Sequence, residues 1–379
     1  MTLLEYFQLL SSDYTIRTIT LGTATLGAIC GLLGSFAVLK KQSLLGDAIS
    51  HAALPGIAIA FILTHTKESN ILLVGALISG LLGALWIRGI SLRTHLKTDT
   101  SLGIILSVFF GFGMLLLTYI QKLPDANQAG LDKYLFGQAA TLVQKDVNVL
   151  LTVLGVTLVI LLSFWKELKL LVFDAEYTTT LGFNTFFLDL MITSLIVLAI
   201  VLGLQTVGVI LMSAMLLAPA AAARQWTNSL STMLIIAAIF GMLSGILGTA
   251  ISATQSNLST GPVIILVATI IVAISFIFSP QRGLLMRQIT FLKNRKLMKT
   301  QKTLYLMYRI ARSHDDIAHP HKIKLLNNFQ GYSRSAIKEL IEHGWIETSK
   351  QEWWLTESGF EYAKKLYNNE TLKDDKHSN

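Results

Sequence analysis

The chain of 379 residues has a single cysteine, Cys30, set in an apolar run, so no intrachain disulfide can form and a secreted disulfide scaffold is excluded. Charge is scarce too. Only 14% of residues are Asp, Glu, Lys or Arg, against roughly a quarter in an average soluble domain. That figure excludes a single soluble enzyme. A hydrophobic share of 52% and a mean hydropathy of +0.57 exclude a disordered chain. The N-terminus carries Glu5 and Asp13 and lacks the basic stretch of a cleavable signal peptide. Also missing is any Gly-x-x-x-x-Gly-Lys-Ser/Thr loop, the backbone cradle for nucleotide phosphates, so ATP hydrolysis is not expected of this chain.

The few charges are unevenly divided. Residues 1–280 hold 13 Lys/Arg and 12 Asp/Glu, whereas residues 281–379 hold 18 and 11. This predicts a membrane-embedded body, 1–280, followed by a basic soluble tail. The tail divides into a basic juxtamembrane linker (281–302), a small folded domain (303–367) and a disordered end (368–379).

A bilayer core about 30 Å thick takes roughly 20 apolar residues per helix. Nine runs qualify: 14–38, 46–64, 70–91, 100–120, 147–165, 185–204, 205–223, 231–253 and 260–279. They are long and lack two-residue alternation, so they read as helices rather than barrel strands. The sixth and seventh have no polar break, and a turn is placed near 203–208. Lys and Arg concentrate in alternate loops (Lys40/Lys41, Arg88/Arg93/Lys97, Lys166/Lys169, Arg224, and the stretch after Ser279). By the positive-inside rule the N-terminus is outside and the C-terminus in the cytoplasm. In the outer 121–146 loop, the apolar stretch 131–142 reads as a short surface helix. Glycines at three- and four-residue spacing (Gly27, Gly31, Gly34; Gly75, Gly80, Gly83; Gly241, Gly245, Gly248) predict close helix packing and say nothing about substrate.

Ionisable groups inside apolar spans are costly and face a partner or a pathway. Asp47 and His51 are four apart, on one helical face. A carboxylate beside an imidazole suits a divalent cation of intermediate hardness; equally, Asp47 could cap or pair within the bundle and His51 be a satisfied core histidine. Two ligands do not complete a site, so a second helix or subunit must contribute. Pro55 lies one turn further on and frees a backbone carbonyl near that level. Asp189, near the inner end of the sixth span, is expected to pair with a loop lysine.

Four stretches together point to a family. They are Leu-Gly-Asp-Ala-Ile-Ser-His-Ala-Ala-Leu-Pro-Gly at 45–56, Leu-Leu-Ala-Pro-Ala-Ala-Ala-Ala at 216–223, Ser-Thr-Gly-Pro-Val at 259–263 and Phe-Asp-Ala-Glu-Tyr-Thr-Thr-Thr-Leu-Gly at 173–182. Over about 10–285 the chain resembles the permease subunits of bacterial ABC importers for manganese, zinc and iron. The resemblance implies an all-α polytopic bundle that forms a homodimer. It implies cytoplasmic ATPase subunits docked below, an extracytoplasmic metal-binding protein above, and a divalent metal ion as cargo, with no permanently bound cofactor. Asp47 and His51 match the family's cation-coordinating positions, and Pro55, Pro219 and Pro262 its pathway or helix-break prolines. The 174–182 stretch, with Asp174, Glu176, Leu181 and Gly182, matches the coupling helix that enters a groove of the ATPase; an ordinary surface connection is the alternative.

In the tail, residues 281–303 hold seven Lys/Arg and no acid, which favours anionic lipid headgroups. Helices over 303–312, 322–329 and 333–344, a hairpin of 345–348 with 353–356 and a helix over 357–367 are predicted, with a core of Leu304, Leu325, Ile337, Leu340, Ile341, Trp345, Leu355 and Ala363. This small cytoplasmic α+β domain resembles a winged helix, and 335–346 with 355–363 are similar to the DNA-binding half of diphtheria-toxin-repressor-like, metal-dependent regulators. Those regulators carry most metal ligands beyond the wing, where this chain ends. His314, Asp315, Asp316, His319 and His321 crowd five potential ligands into eight residues, and the plain reading is a solvated loop. Ser333–Arg334 would lead a recognition helix, but Glu339 and Glu342 would repel nucleic-acid phosphate, so a protein-contact role is favoured over DNA. Two other functions match parts of the sequence: a permease for a metal chelate, which the Asp-x-x-x-His pair disfavours, and a membrane-tethered transcriptional regulator, for which nine spans are far more than an anchor needs.

Overall fold

The computed structural model describes residues 13–66, 68–122, 137, 139–254, 258–312, 319–326, 334–349 and 352–374. The described chain divides into two compact units, 1–283 and 284–379.

Among the described residues of the first unit, nine helices are long and apolar enough to cross a membrane. They are α1 (Tyr14–Leu39), α2 (Leu45–Thr64), α3 (Ser69–Arg93), α4 (Thr98–Gln121), α5 (Gln144–Ser163), α8 (Thr185–Thr206), α9 (Val209–Trp226), α10 (Leu230–Ala253) and α11 (Thr260–Phe278). Two short helices, α6 (Trp165–Phe173) and α7 (Ala175–Thr180), lie between α5 and α8. Each span falls within a few residues of the run that predicts it, the seventh differing most. The fifth ends at Ser163, where the backbone breaks into α6. The seventh starts at Val209 rather than 205, because Gly208, at φ +90°, makes the turn. Of the stretch 131–142, only Gly137 and 139–142 are described; Ala139–Thr141 is one 3₁₀ turn, and the expected helix otherwise lies outside the described residues.

The helix ends follow local chemistry. Asp13 caps α1, its carboxylate accepting from the amides of Thr15 (2.7 Å) and Ile16. Asn184 caps α8 in the same way, accepting from Phe187 N.

Burial sorts the helices into layers. In α1, 83% of the most apolar stretch is buried, and in α2 72%; in α4 and α5 it is 22%. So α1 and α2 form the centre, while α4 and α5 present most of their apolar surface outward, as lipid-facing helices do. Helix α1 packs on α10 and α9, and α2 is enclosed by α3, α4 and α9. Glycine permits the closest of these approaches. A Cβ at Gly27 would run into the Gly241 carbonyl, and one at Gly56 into that of Gly75. Beside the first crossing, the Thr23 and Thr249 hydroxyls hydrogen bond at 3.0 Å.

The second unit begins with α12 (Leu284–Ala311), followed by β1 (His321–Lys322), α13 (Ile323–Leu326), α14 (Arg334–Glu342), β2 (Ile346–Ser349), β3 (Glu352–Leu355) and α15 (Glu357–Asp374). The strands form an antiparallel sheet in the order β1-β3-β2, with Trp353 opposite His321 on one side and Thr348 on the other. The stretch read as a linker, 281–302, and the helix read from 303 are one continuous helix from 284. The stretch 368–379, read as disordered, is helical to Asp374, and 375–379 lie outside the described residues. Strand β1 has no counterpart among the predicted elements.

The small core joins Leu304, Met307, Leu326, Leu340, Trp353 and Leu355. Leu325 (47% exposed) and Ile341 (42%) leave the predicted core, and Leu326 and Trp353 enter it. In a helix of four residues, periodicity cannot decide which of two adjacent leucines turns inward. Gly344, at φ +68°, turns the chain from α14 into β2, and Trp345 there stacks on Tyr362 at 4.4 Å.

Candidate functional site

Helix α2 carries the first candidate residues. Its boundary at Leu45 places Asp47 in the first turn and His51 one turn deeper, both half-buried. Asp47 thus sits at the end of the span beside the Lys40/Lys41 loop. The segment turns helical here because the chain leaves α1 through Lys41, at φ +58°, and meets a run of mostly helix-compatible residues as far as Pro55. The His51 ring lies edge-on to Phe110 of α4, with centroids 4.6 Å apart. Its Nδ1 and the neighbouring Ser50 Oγ are buried with no hydrogen-bond partner among the described residues. A buried imidazole nitrogen left without a partner is unusual, and a ligand can supply one.

Pro55 stands inside α2, and the helix runs on through it. The proline withholds the amide that would bond the His51 carbonyl, so this residue presents an unpaired ring nitrogen and a carbonyl without its helical donor. Gly113 of α4 faces Pro55, and the Ser79 hydroxyl of α3 donates to the Ala52 carbonyl at 2.6 Å. Helices α3 and α4 therefore brace the turn that holds His51.

The three prolines are not alike. Pro219 lies inside α9, which also continues through it and is buried there. Pro262 is exposed in the first turn of α11, where a missing amide costs no helical bond. None of the three breaks its helix. Among the described residues, no group of three or more His, Cys, Asp or Glu side chains is placed to hold a metal ion, so Asp47 and His51 are not joined by a third such ligand.

The second candidate is the short helix α7. Asp174 caps it by accepting from Tyr177 N at 2.8 Å, and Gly182, at φ +86°, ends the turn that follows. Glu176 is exposed, as are Leu181 (48%) and Tyr177 (52%). Phe173 and Phe183 are exposed on either side. The result is an apolar knob on a loop that its polar sequence does not advertise. The aromatic residues themselves, within a run of threonines and acids, were the available signal.

Near α7, at the start of α8, Asp189 pairs with two cations. Lys40, at the end of α1, and Arg88, near the end of α3, both reach its carboxylate. Arg88 also lies over the Phe186 ring, 4.6 Å from its centroid. A cavity of about 270 Å³ beside the cluster is lined by Lys40, Arg88, Ala175, Thr185 and Asp189, so it runs from the ion cluster to α7. The lysine partner is the one anticipated. The arginine was missed, although an arginine within an apolar run is itself a signal of a buried partner.

A nine-helix bundle with an ionisable pair on a central helix and a short apolar-tipped connecting helix has the architecture of a membrane transport subunit. The chain belongs to the ABC 3 transport family, whose sequence model matches residues 12–279, the span of the helix bundle. It is 53% identical over 276 residues to the zinc transport system membrane protein TroC of Treponema pallidum, covering 73% of this chain and 93% of that protein. It is 46% identical over 287 residues to the manganese transport system membrane protein MntC of Bacillus subtilis, covering 76% of this chain and 66% of the relative. Among solved structures it is similar to PsaBC from Streptococcus pneumoniae in complex with Fab, at 31% identity and a TM-score of 0.65, covering 74% of this chain and 98% of the other.

Proposed function

We propose that the chain is the permease subunit of an ATP-binding-cassette importer that carries a divalent metal ion, manganese, zinc or iron, across the cytoplasmic membrane. The family membership and the zinc and manganese systems named for its relatives support the reading. The observation that carries it to particular residues is the unpartnered His51 Nδ1, one turn from Asp47 on a central helix. An imidazole and a carboxylate bind such a cation by replacing part of its hydration shell. Two ligands hold it weakly enough to be released, and a second permease copy, giving a homodimer, would complete the set. The bracing of α2 by Ser79 and Gly113 keeps the pair in register while the cation passes.

In this reading α7 is the coupling helix. Tyr177, Leu181 and their neighbours enter a groove of a separate ATPase subunit, and Asp174 and Gly182 set the ends of the knob. The charge cluster at Asp189 fastens the start of α8 to the ends of α1 and α3, so that movement of α7 reaches α2 through the short 40–44 turn. ATP is hydrolysed by the partner, and an extracytoplasmic binding protein delivers the metal to the other face. In this reading the N-terminus is outside and the tail in the cytoplasm, an orientation that the basic loops support.

The tail is a winged-helix-like regulatory module in this reading. The order helix, strand, helix, helix, two strands, helix and its three-stranded sheet support it. Glu339, which was expected to repel nucleic acid, turns inward: it accepts from Thr300 at 2.6 Å and lies 3.5 Å from Lys296. Glu342 remains exposed, and a protein partner stays the favoured contact over DNA.

Measuring cellular metal, element by element, in a strain lacking the gene tests the function. Loss of one divalent metal, restored by the wild type but not by Asp47→Ala or His51→Ala, is the expected result. Unchanged content of all three metals in the deletion strain would refute it.

A further inference from the structure

We propose that the first part of α12, residues 284–299, lies along the anionic cytoplasmic surface of the bilayer as an interfacial helix. The proposal rests on the cytoplasmic placement of the tail argued above.

Every residue from 284 to 299 is exposed, and Thr300 is the first buried one. At 1.5 Å per residue this is about 24 Å of helix without a core on any side. A free-standing helix in water is ordinarily polar all round. This one exposes Leu285, Ile289, Phe291, Leu292 and Met298, each between 47% and 60%. The stretch contains five Lys/Arg and no Asp or Glu. Lys296 is paired with Glu339, and the other four cations have no acid on their own stretch; apolar side chains and an excess of positive charge on one helix are the two requirements for binding an anionic membrane surface.

The arrangement suits that surface. Leu285, Ile289 and Leu292, at i, i+4 and i+7, form one stripe. Lys299 continues it, with a stem long enough to lie along the hydrocarbon boundary and raise its ammonium group to the headgroups; Lys296, on the same line, pairs with Glu339 at 3.5 Å. Thr290 and Asn294 lie on the other side, as do Phe291 and Met298, so Leu285, Ile289 and Leu292 are the apolar residues this surface would take. The chain also enters this helix five residues after its last span, which keeps the bilayer surface within reach. Helix α11 ends at Phe278, and the five residues before α12 are tied to the bundle: Ser279 donates to the Gln225 carbonyl, Arg282 to Asn228 at 2.8 Å, and Gly283 N to Ser279 O at 3.0 Å. A second copy of this helix would instead set five cations against five.

The test uses the full chain with Cys30, its single cysteine, replaced by alanine. Cysteines are placed singly at Leu285, Ile289, Leu292, Thr290 and Asn294, and the protein is reconstituted without its partners in nanodiscs of phosphatidylglycerol or of phosphatidylcholine. Labelling by a water-soluble maleimide is expected to be several-fold slower at the three stripe positions than at Thr290 and Asn294 in the anionic discs, with the difference reduced in the neutral ones. Equal rates at all five positions in anionic discs would overturn the proposal and assign the face to a protein absent from the disc. Protection of the stripe to the same extent in both lipids would overturn the anionic requirement. Labelling of N294C in intact cells by a membrane-impermeant reagent would overturn the cytoplasmic placement while leaving the stripe pattern intact, so the two failures are distinguishable.

Discussion

The carboxylate of Asp189, at the start of α8, is bridged to Lys40 across 149 residues of sequence, and Arg88 reaches it from a third helix. One acid therefore joins the ends of three helices next to the α7 connection. Asp189→Asn would leave two neighbouring cations without their acid. An unsatisfied buried partner costs about 1–3 kcal/mol, and the cluster is partly solvated, so the lower end of that range is expected. Thermal unfolding in detergent should show the loss. A variant as stable as the wild type would mean that the pairing does not hold the helices.

His51 and Asp47 should each be indispensable for transport and dispensable for insertion. Asp47→Ala and His51→Ala are expected to reach the membrane in normal amounts and to accumulate no metal. Radiometal uptake alongside a membrane blot separates the two properties. Wild-type uptake by both variants would end the coordination reading.

At α7 the expected defect is one of coupling. Purified permease should show no ATPase activity of its own. In a complex reconstituted with its ATPase, a Leu181→Asp/Gly182→Pro double variant should lose transport, because it charges the exposed knob and forbids the φ of +86° at Gly182. Unimpaired transport by that variant would refute the role.

Gly27→Val tests the crossing of α1 and α10. Its Cβ would occupy the space of the Gly241 carbonyl, a backbone atom that cannot swing aside as a side chain could. The variant is expected to aggregate on extraction, as read by size-exclusion chromatography. The same change at Gly155, where nothing lies within 4 Å of an added Cβ, should be tolerated.

Glu339 gives the tail a pH dependence. The hydrogen bond from Thr300, and then the charge of Lys296, hold its carboxyl below the usual carboxylate value. A carboxylate so depressed contributes stability above its unfolded pKa and loses it as pH falls through the folded one. Melting curves of the second unit should show Glu339→Gln less stable than the wild type at pH 7, with the gap closing in acid. A gap that persists below both pKa values would mean that the loss is one of packing.

The unbroken helix from 284 to 311 also moves the sensible point of truncation. A cut after about residue 300 would divide α12, whereas one after Gly283 separates the two units. The chain ending at Gly283 is expected to retain transport and lose regulation. Failure to assemble with its ATPase would make the tail part of the structural core.

What the sequence determined alone is whatever depends on a contiguous stretch. The nine spans were legible because the bilayer sets a length, and twenty apolar residues satisfy it without reference to the rest of the chain. The Asp47/His51 pair was legible because a helix places residues four apart on one face, and the short helix α7, though not its exposed apolar knob, because its cap and its terminal glycine are local. Tertiary structure decided the rest, where the partner is distant or the local pattern is too short. No periodicity indicates that Arg88 joins Lys40 at Asp189, or that Gly27 meets Gly241. In the tail, a single helical turn could not choose between Leu325 and Leu326, and the two-residue strand at His321 exists only because β3 supplies its hydrogen bonds. The unpartnered nitrogen of His51 belongs to this second kind as well: the sequence put a histidine on the helix, but only the packing of α3 and α4 around it left that nitrogen buried and unpaired.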